Sequence, residues 1–266
     1  MSRRRFLSLA PKLAAFAVAP AFVRNAQAQD GLSAKSVTIG CSCPLSGPLG
    51  GFGSAIKLGA DAAVAQINAK GGVQGRHLQL QLVDDAYVVQ RTTDNVKKMI
   101  GDGSVFALMS CFGTPNNAAI FPTVEASNLP YLAPLTGAMS LRTATNRNVF
   151  HVRASYTEET QRLLEKILAM GIKDLGIAYL DNAFGKELLA DATAALATKG
   201  VQPTVKAALA ADGKNLSDVV AQIVAAKPSA VLLGTAGAAS VSLIDALRKA
   251  VPMTLLVGQS MTLSAD

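Results

Sequence analysis

Val105-Phe106-Ala107-Leu108-Met109 is an uninterrupted apolar run between the turn residues Gly101-Asp102-Gly103-Ser104 and the polar Ser110. Such a run has strand length and reads as a strand buried on both faces, as at the centre of a parallel sheet. Upstream, His77 to Val83 alternates Leu78, Leu80 and Leu82 with Gln79 and Gln81, the pattern of an edge strand with one wetter face. Further back, Val37-Thr38-Ile39-Gly40-Cys41 opens the series. A helical pattern follows it, with Ile56, Ala60, Val64 and Ile67 on one face and a Gly71-Gly72 stop. A buried third strand beside the first, with the second outermost, is the order 2-1-3 of a doubly wound sheet.

Downstream the alternation continues. Leu129 to Ala133 is a strand, followed by the loop Pro134-Leu135-Thr136-Gly137. Between Phe150 and Ser155 the chain enters a second unit. Ser155 and Glu158 form a capping box for a helix carrying Leu163, Leu164, Ile167 and Leu168, stopped by Gly171. Strands are expected at Leu175–Leu180, Val201–Val205, Ala230–Leu233 and Met253–Val257, with helices between them. The class is α/β, two three-layer αβα lobes with parallel sheets. Residues 29–150 and 252–266 are expected to form lobe 1, and 151–251 lobe 2. Asp266 follows a strand-like run with no helix to cover it, so the second pass reads as incomplete and the chain as C-terminally truncated.

The amino terminus carries an address. Ser2-Arg3-Arg4-Arg5-Phe6-Leu7 is a twin-arginine export signature, followed by an apolar run from Leu13 to Val23 and the small-x-small site Ala26-Gln27-Ala28. Residues 1–28 are therefore expected to be a signal peptide, and the mature chain to be periplasmic and soluble. Pro11 and Pro20 interrupt a stretch too short for a membrane span, which needs about 20 apolar residues. The formal net charge is +7, yet Arg3, Arg4, Arg5, Lys12 and Arg24 all lie in this segment, which has no acid, leaving the remainder near +2. The basicity belongs to the address, and no Lys/Arg cluster with interleaved aromatics remains. A nucleic-acid partner is excluded.

In a doubly wound sheet the informative loops lie beyond the C-terminal ends of the strands. Pro44 to Gly53 follows the first strand, and Cys111-Phe112-Gly113-Thr114-Pro115-Asn116-Asn117 follows the third. Thr114 is placed to cap a helix with Pro115 in its first turn, leaving backbone N–H groups suited to a carboxylate. Ordinary capping accounts for the pattern equally well. A dinucleotide fingerprint fails on spacing, since Ile56 stands where a third glycine belongs after Gly51 and Gly53, and there is no Gly-Lys-Ser/Thr. His77 and His151 are the only histidines, and no Gly-x-Ser-x-Gly occurs, so no catalytic residue is assigned and no enzyme activity is expected. Cys41-x-Cys43 lacks a second pair with ligand spacing, so neither metal nor cofactor is expected. Neighbouring first and third strands instead favour a disulfide from Cys111 to Cys41 or Cys43.

Taken together, Pro44-Leu45-Ser46-Gly47-Pro48 through Phe52-Gly53, the Asp84-Asp85 pair, Phe112-Gly113-Thr114 and Asp181-Asn182-Ala183-Phe184-Gly185-Lys186 resemble the leucine/isoleucine/valine-binding family. These are type I periplasmic receptors of branched-chain amino-acid-type ABC importers. The resemblance runs from about Val37 to the end of the chain. It implies two Rossmann-like lobes joined by a multi-strand hinge and closing over a small solute, with membrane permease subunits as the partner. It assigns ligand contacts to Ser46, Phe52, Phe112, Gly113, Thr114, Thr136, Gly137, Asp181, Phe184, Thr235, Ala236 and Ser260. Two departures stand out. Where amino-acid binders place a carboxylate against the ligand ammonium, this chain reads Gly258-Gln259-Ser260-Met261, which turns the expectation toward a carboxylic acid, amide or aromatic acid as well as an amino acid. Tyr87 occupies the position where relatives carry a cysteine bonded to the partner of Cys111. A ligand-sensing receptor of the same fold, serving a signalling or regulatory partner, is the alternative expectation.

Overall fold

The structure, a computed structural model, describes residues 30–143 and 147–262. The expected signal peptide, residues 1–28, lies outside them. Two parallel sheets organise the chain. The first comprises β1 (Ser36–Cys43), β2 (His77–Asp84), β3 (Ala107–Met109), β4 (Tyr131–Leu132) and β5 (Val149–Phe150), in the order β2-β1-β3-β4-β5. The second comprises β6 (Leu175–Leu180), β7 (Val205–Leu209), β8 (Ala230–Gly234) and β9 (Leu255–Gly258), in the order β7-β6-β8-β9. Each sheet thus repeats the 2-1-3 beginning that the sequence predicts. The β1–β2 register runs unbroken from Ser36↔His77 to Cys43↔Asp84.

Seven helices connect and flank these strands: α1 (Gly50–Ala69), α2 (Val89–Gly101), α3 (Thr114–Ser127), α4 (Tyr156–Ala169), α5 (Ala183–Ala197), α6 (Leu216–Ala226) and α7 (Gly237–Ala250). The capping box of α4 forms as its sequence dictates: Ser155 Oγ accepts the Glu158 N–H while Glu158 accepts the Ser155 N–H. Val96, Met99, Ile120, Phe121 and Val124 of α2 and α3 pack with Leu108 and Tyr131 as one core cluster. Leu164, Ile167, Leu188 and Leu196 of α4 and α5 do the same on Leu175, Ile177 and Leu232. A third cluster crosses between the lobes, joining Cys41, Leu49 and Phe112 to Tyr156, Leu180, Phe184 and Met261.

The structure alters several expectations. β9 pairs with β8 through Ala230↔Leu255 to Leu233↔Gly258, so Leu255–Gly258, within the stretch assigned to lobe 1, extends the second sheet instead. Among the described residues the chain crosses between the two sheets once, from β5 to α4. The strand expected at Val201–Val205 begins where that range ends, at Val205, because Val201 is occupied packing against the core beneath α5. The run at Val105 shortens to β3, and Leu129–Ala133 shortens to β4.

Candidate functional site

The C-terminal ends of β1 and β3 face those of β6 and β8 across an inter-lobe cleft, so the switch points of the two sheets meet. Its wall is formed by Leu49, Tyr87, Phe112, Gly113, Thr114 and Leu135 from one side and by Tyr156, Leu180, Phe184, Ala236 and Met261 from the other. The space left between these walls is only about 10 Å³, so the chamber is nearly filled by its own side chains. Phe112 is flanked by Phe52 at 4.9 Å and by Tyr87, edge-on, at 5.8 Å. Opposite, Tyr156 meets Phe184 edge-on at 5.1 Å. Five of the ten aromatic residues in the described segments therefore gather at this one place.

Glycine decides how closely the loops approach. Gly113 has φ +94°, and a Cβ there would lie 2.4 Å from Tyr87 Cε2. Gly53 and Gly185 serve the two lobes alike: a Cβ at either would lie 2.0–2.1 Å from the backbone oxygen of Pro44 or Leu180. That contact lets the first turn of each helix press on the preceding strand, which holds Phe52 and Phe184 beside the cleft.

The carboxylates nearby are committed to structure. Asp84 accepts the Leu45 and Ser46 N–H groups, the Ala86 N–H and the Ser46 hydroxyl, and the Ser46 contact foremost lowers its pKa from the ordinary carboxylate value. Asp85 is fully buried and accepts Ser42 Oγ at 2.8 Å, Thr92 Oγ1 at 2.9 Å and the Tyr87 N–H at 2.9 Å, while burial raises its pKa. Glu159 pairs with Arg153 at 3.1 Å, and Arg153 in turn lies 5.1 Å above the Tyr156 ring. Burial first, then the neighbouring Tyr156, raise the Tyr87 phenol above its ordinary value.

Of the residues singled out in the sequence, Phe112, Gly113, Thr114, Phe184 and Ala236 line the chamber. The others lie behind it or to one side. Ser46 is bound to Asp84, and Phe52 backs Phe112. Thr136 shares a 2.8 Å hydrogen bond with Thr114, and Gly137 accepts the Tyr156 N–H at 2.8 Å. Asp181 is paired with Lys186, and Thr235 with Ser240. Ser260 is held by Glu159 and Arg153. Thr114 does not cap α3: Gly113 takes that position, and the Thr114 hydroxyl is spent on Thr136. Sequence reasoning missed Leu49, Tyr87, Leu135, Tyr156, Leu180 and Met261 as wall residues. Tyr87 alone had a polar signal beside it, the Asp84-Asp85 pair.

Cys41, Cys43 and Cys111 are free, buried thiols rather than the expected disulfide. They remain neighbours: hydrogen bonding to Cys111, then to Cys43, and burial push the Cys41 thiol well above its usual range. Among the described residues no group of three or more His, Cys, Asp or Glu side chains is placed to hold a metal ion. No described helix is long and apolar enough to cross a membrane.

The sequence pattern of the family described as periplasmic binding protein matches residues 36–264. The chain belongs to that family. Members are extracytoplasmic solute-binding proteins, not an enzyme family. Among curated members, the Leu/Ile/Val-binding protein BraC3 of Rhizobium johnstonii is 27% identical over 207 residues, covering 76% of this chain and 55% of that protein. The Leu/Ile/Val-binding protein homolog 3 of Brucella melitensis is 28% identical over 165 residues, covering 62% and 44%. A substrate-binding periplasmic protein from Ralstonia solanacearum superposes with a TM-score of 0.79 at 27% identity, over 84% of this chain and 63% of that one. The chain thus spans about half the length of the curated family members it matches.

Proposed function

We propose that this protein captures a small solute between its two lobes and presents it to the permease subunits of an ABC importer outside the cytoplasm. The observation that carries the reading is the cleft itself, an aromatic-walled chamber where the two sheets' switch points face each other. Only about 10 Å³ remains between the walls, so the lobes must part to admit a solute, and the aromatic faces then close on one of small size. The chamber's polar equipment, the first turn of α3, which no side chain caps, suits a carboxylate or an amide. The names of the curated relatives favour a branched-chain amino acid. The wall favours a broader class, because Met261 stands near the place where the sequence departs from amino-acid binders and no described acid lines the chamber.

No bond is made or broken in this reading. Ligand contacts with both lobes shift the population toward a closed form that the membrane partner recognises. Titration calorimetry with a panel of aliphatic amino acids, their amides and small aromatic acids tests it. Saturable binding of at least one is expected, with release of heat that is lost when Phe184 is replaced by Ala. Failure of every member of the panel to bind would sink the reading.

A further inference from the structure

A second chamber of about 220 Å³, open in part to solvent, lies against the first. Leu49, Tyr87, Leu180 and Ala236 line both, so these four side chains form the partition between them. Beyond it the outer chamber is bounded by Pro48, Ala86, Ala211 and Asp212, the last paired loosely with Lys214 at 3.6 Å. Tyr87 is the largest member of the partition, and its placement is heavily specified. Ala86 and Tyr87 both have left-handed backbones, φ +47° and +63°. Neither is glycine, and such a pair persists only where neighbours over-determine it. Here the Asp84 carboxylate accepts the Ala86 N–H and the Asp85 carboxylate accepts the Tyr87 N–H, each at 2.9 Å. Asp85 is itself fixed by Ser42 and Thr92. The backbone is thus turned so that the ring lies over Gly113 and edge-on to Phe112, between the chambers.

We infer that Tyr87 sets the length of ligand the cleft accepts: held by Asp84 and Asp85 on the same lobe as Phe112, its ring stays between the outer chamber and a solute admitted beside Phe112 when the lobes part, so longer carboxylates are refused. The inference rests on the solute-capture reading above and adds to it a specificity-determining residue. Removing the ring joins the chambers, so each further methylene of a ligand finds apolar wall in place of a barrier. At about 0.8 kcal/mol per buried methylene, affinity rises roughly fourfold for each one accommodated.

Calorimetric titration of two homologous series tests this: phenyl carboxylates from benzoate to 4-phenylbutanoate, and straight-chain α-amino acids from alanine to 2-aminooctanoate. The parent chain is expected to bind short members of one series and to lose affinity abruptly as length increases. Tyr87→Ala moves that limit outward by two or more methylenes, whereas Tyr87→Phe, which keeps the ring, leaves it in place. Leu49→Ala opens the same partition from its other side and serves if Tyr87→Ala does not fold. Equal binding of short and long members by the parent, or an unchanged limit in a folded Tyr87→Ala or Leu49→Ala chain, overturns the inference while leaving solute capture standing. Failure of both series to bind the parent overturns the inference, and failure of the amides as well overturns the reading on which it rests.

Discussion

Gly113 shows how much the cleft asks of one residue. Its φ of +94° is open to glycine and strained for other residues, and the space where a Cβ would go is taken by the Tyr87 ring. Gly113→Ala therefore meets two penalties at once, backbone strain and a displaced aromatic wall. The expected cost is about 1–3 kcal/mol in urea unfolding, accompanied by weaker solute binding in the same preparation. A variant as stable as the parent and equal to it in affinity would contradict the close approach described. The aromatic–glycine pairs Phe52-Gly53 and Phe184-Gly185 carry the same logic in both lobes, since the missing side chain brings helix and strand together and the ring before it is held beside the cleft.

At the scale of elements, the readability of the sequence tracked how strongly burial enforced a pattern. β6 matches its expected bounds because every residue of Leu175–Leu180 except Tyr179 is buried, which leaves a continuous apolar run. β7 was misplaced because its own residues, Val205-Lys206-Ala207-Ala208-Leu209, include two alanines of low strand preference. The α4 cap was legible, since Ser and Glu three residues apart have few other reasons to precede an apolar helix. Replacing Ser155 by Ala removes the acceptor for the Glu158 N–H and should cost about 1 kcal/mol, read as a lowered urea midpoint at unchanged slope. The cleft was only half legible for a related reason. Motif residues with hydroxyls or carboxylates drew attention, yet Ser46, Thr136, Asp181, Thr235 and Ser260 use those groups to tie loops together. Leu135, Leu180 and Met261 reach the wall through topology, and nothing in their local sequence distinguishes them from core residues.

For the whole molecule, the decisive feature is how the lobes hold each other. Glu187 of α5 accepts the Met139 N–H at 2.5 Å and the Ser140 hydroxyl at 2.6 Å, capping a 3₁₀ turn (Met139–Leu141) that belongs to the other lobe. The Ala238 N–H donates to Pro48 O at 3.2 Å along the same seam. These contacts bridge the two lobes directly. Glu187→Ala should loosen closure by about 1 kcal/mol, the discounted worth of a partly exposed carboxylate contact. Apparent solute affinity then falls about fivefold, and small-angle scattering of the unliganded chain reports a larger radius of gyration. An unchanged radius and affinity would remove Glu187 from the closing interaction.

The one crossing among the described residues, between β5 and α4, has a further consequence. Each side of it contains a parallel sheet with helices packed on it, and the two sides meet through an apolar seam from Leu49 and Phe112 to Phe184 and Met261. Within the crossing, Val152 lies out in solvent while Ser155 is buried as the cap of α4, so a cut after Val152 spares both cores. Severed there, residues 1–152 and 153–266 should reassemble when co-expressed, as two fragments that complement each other. Their copurification would make the chain a natural split reporter whose reunion responds to whatever solute draws the halves together.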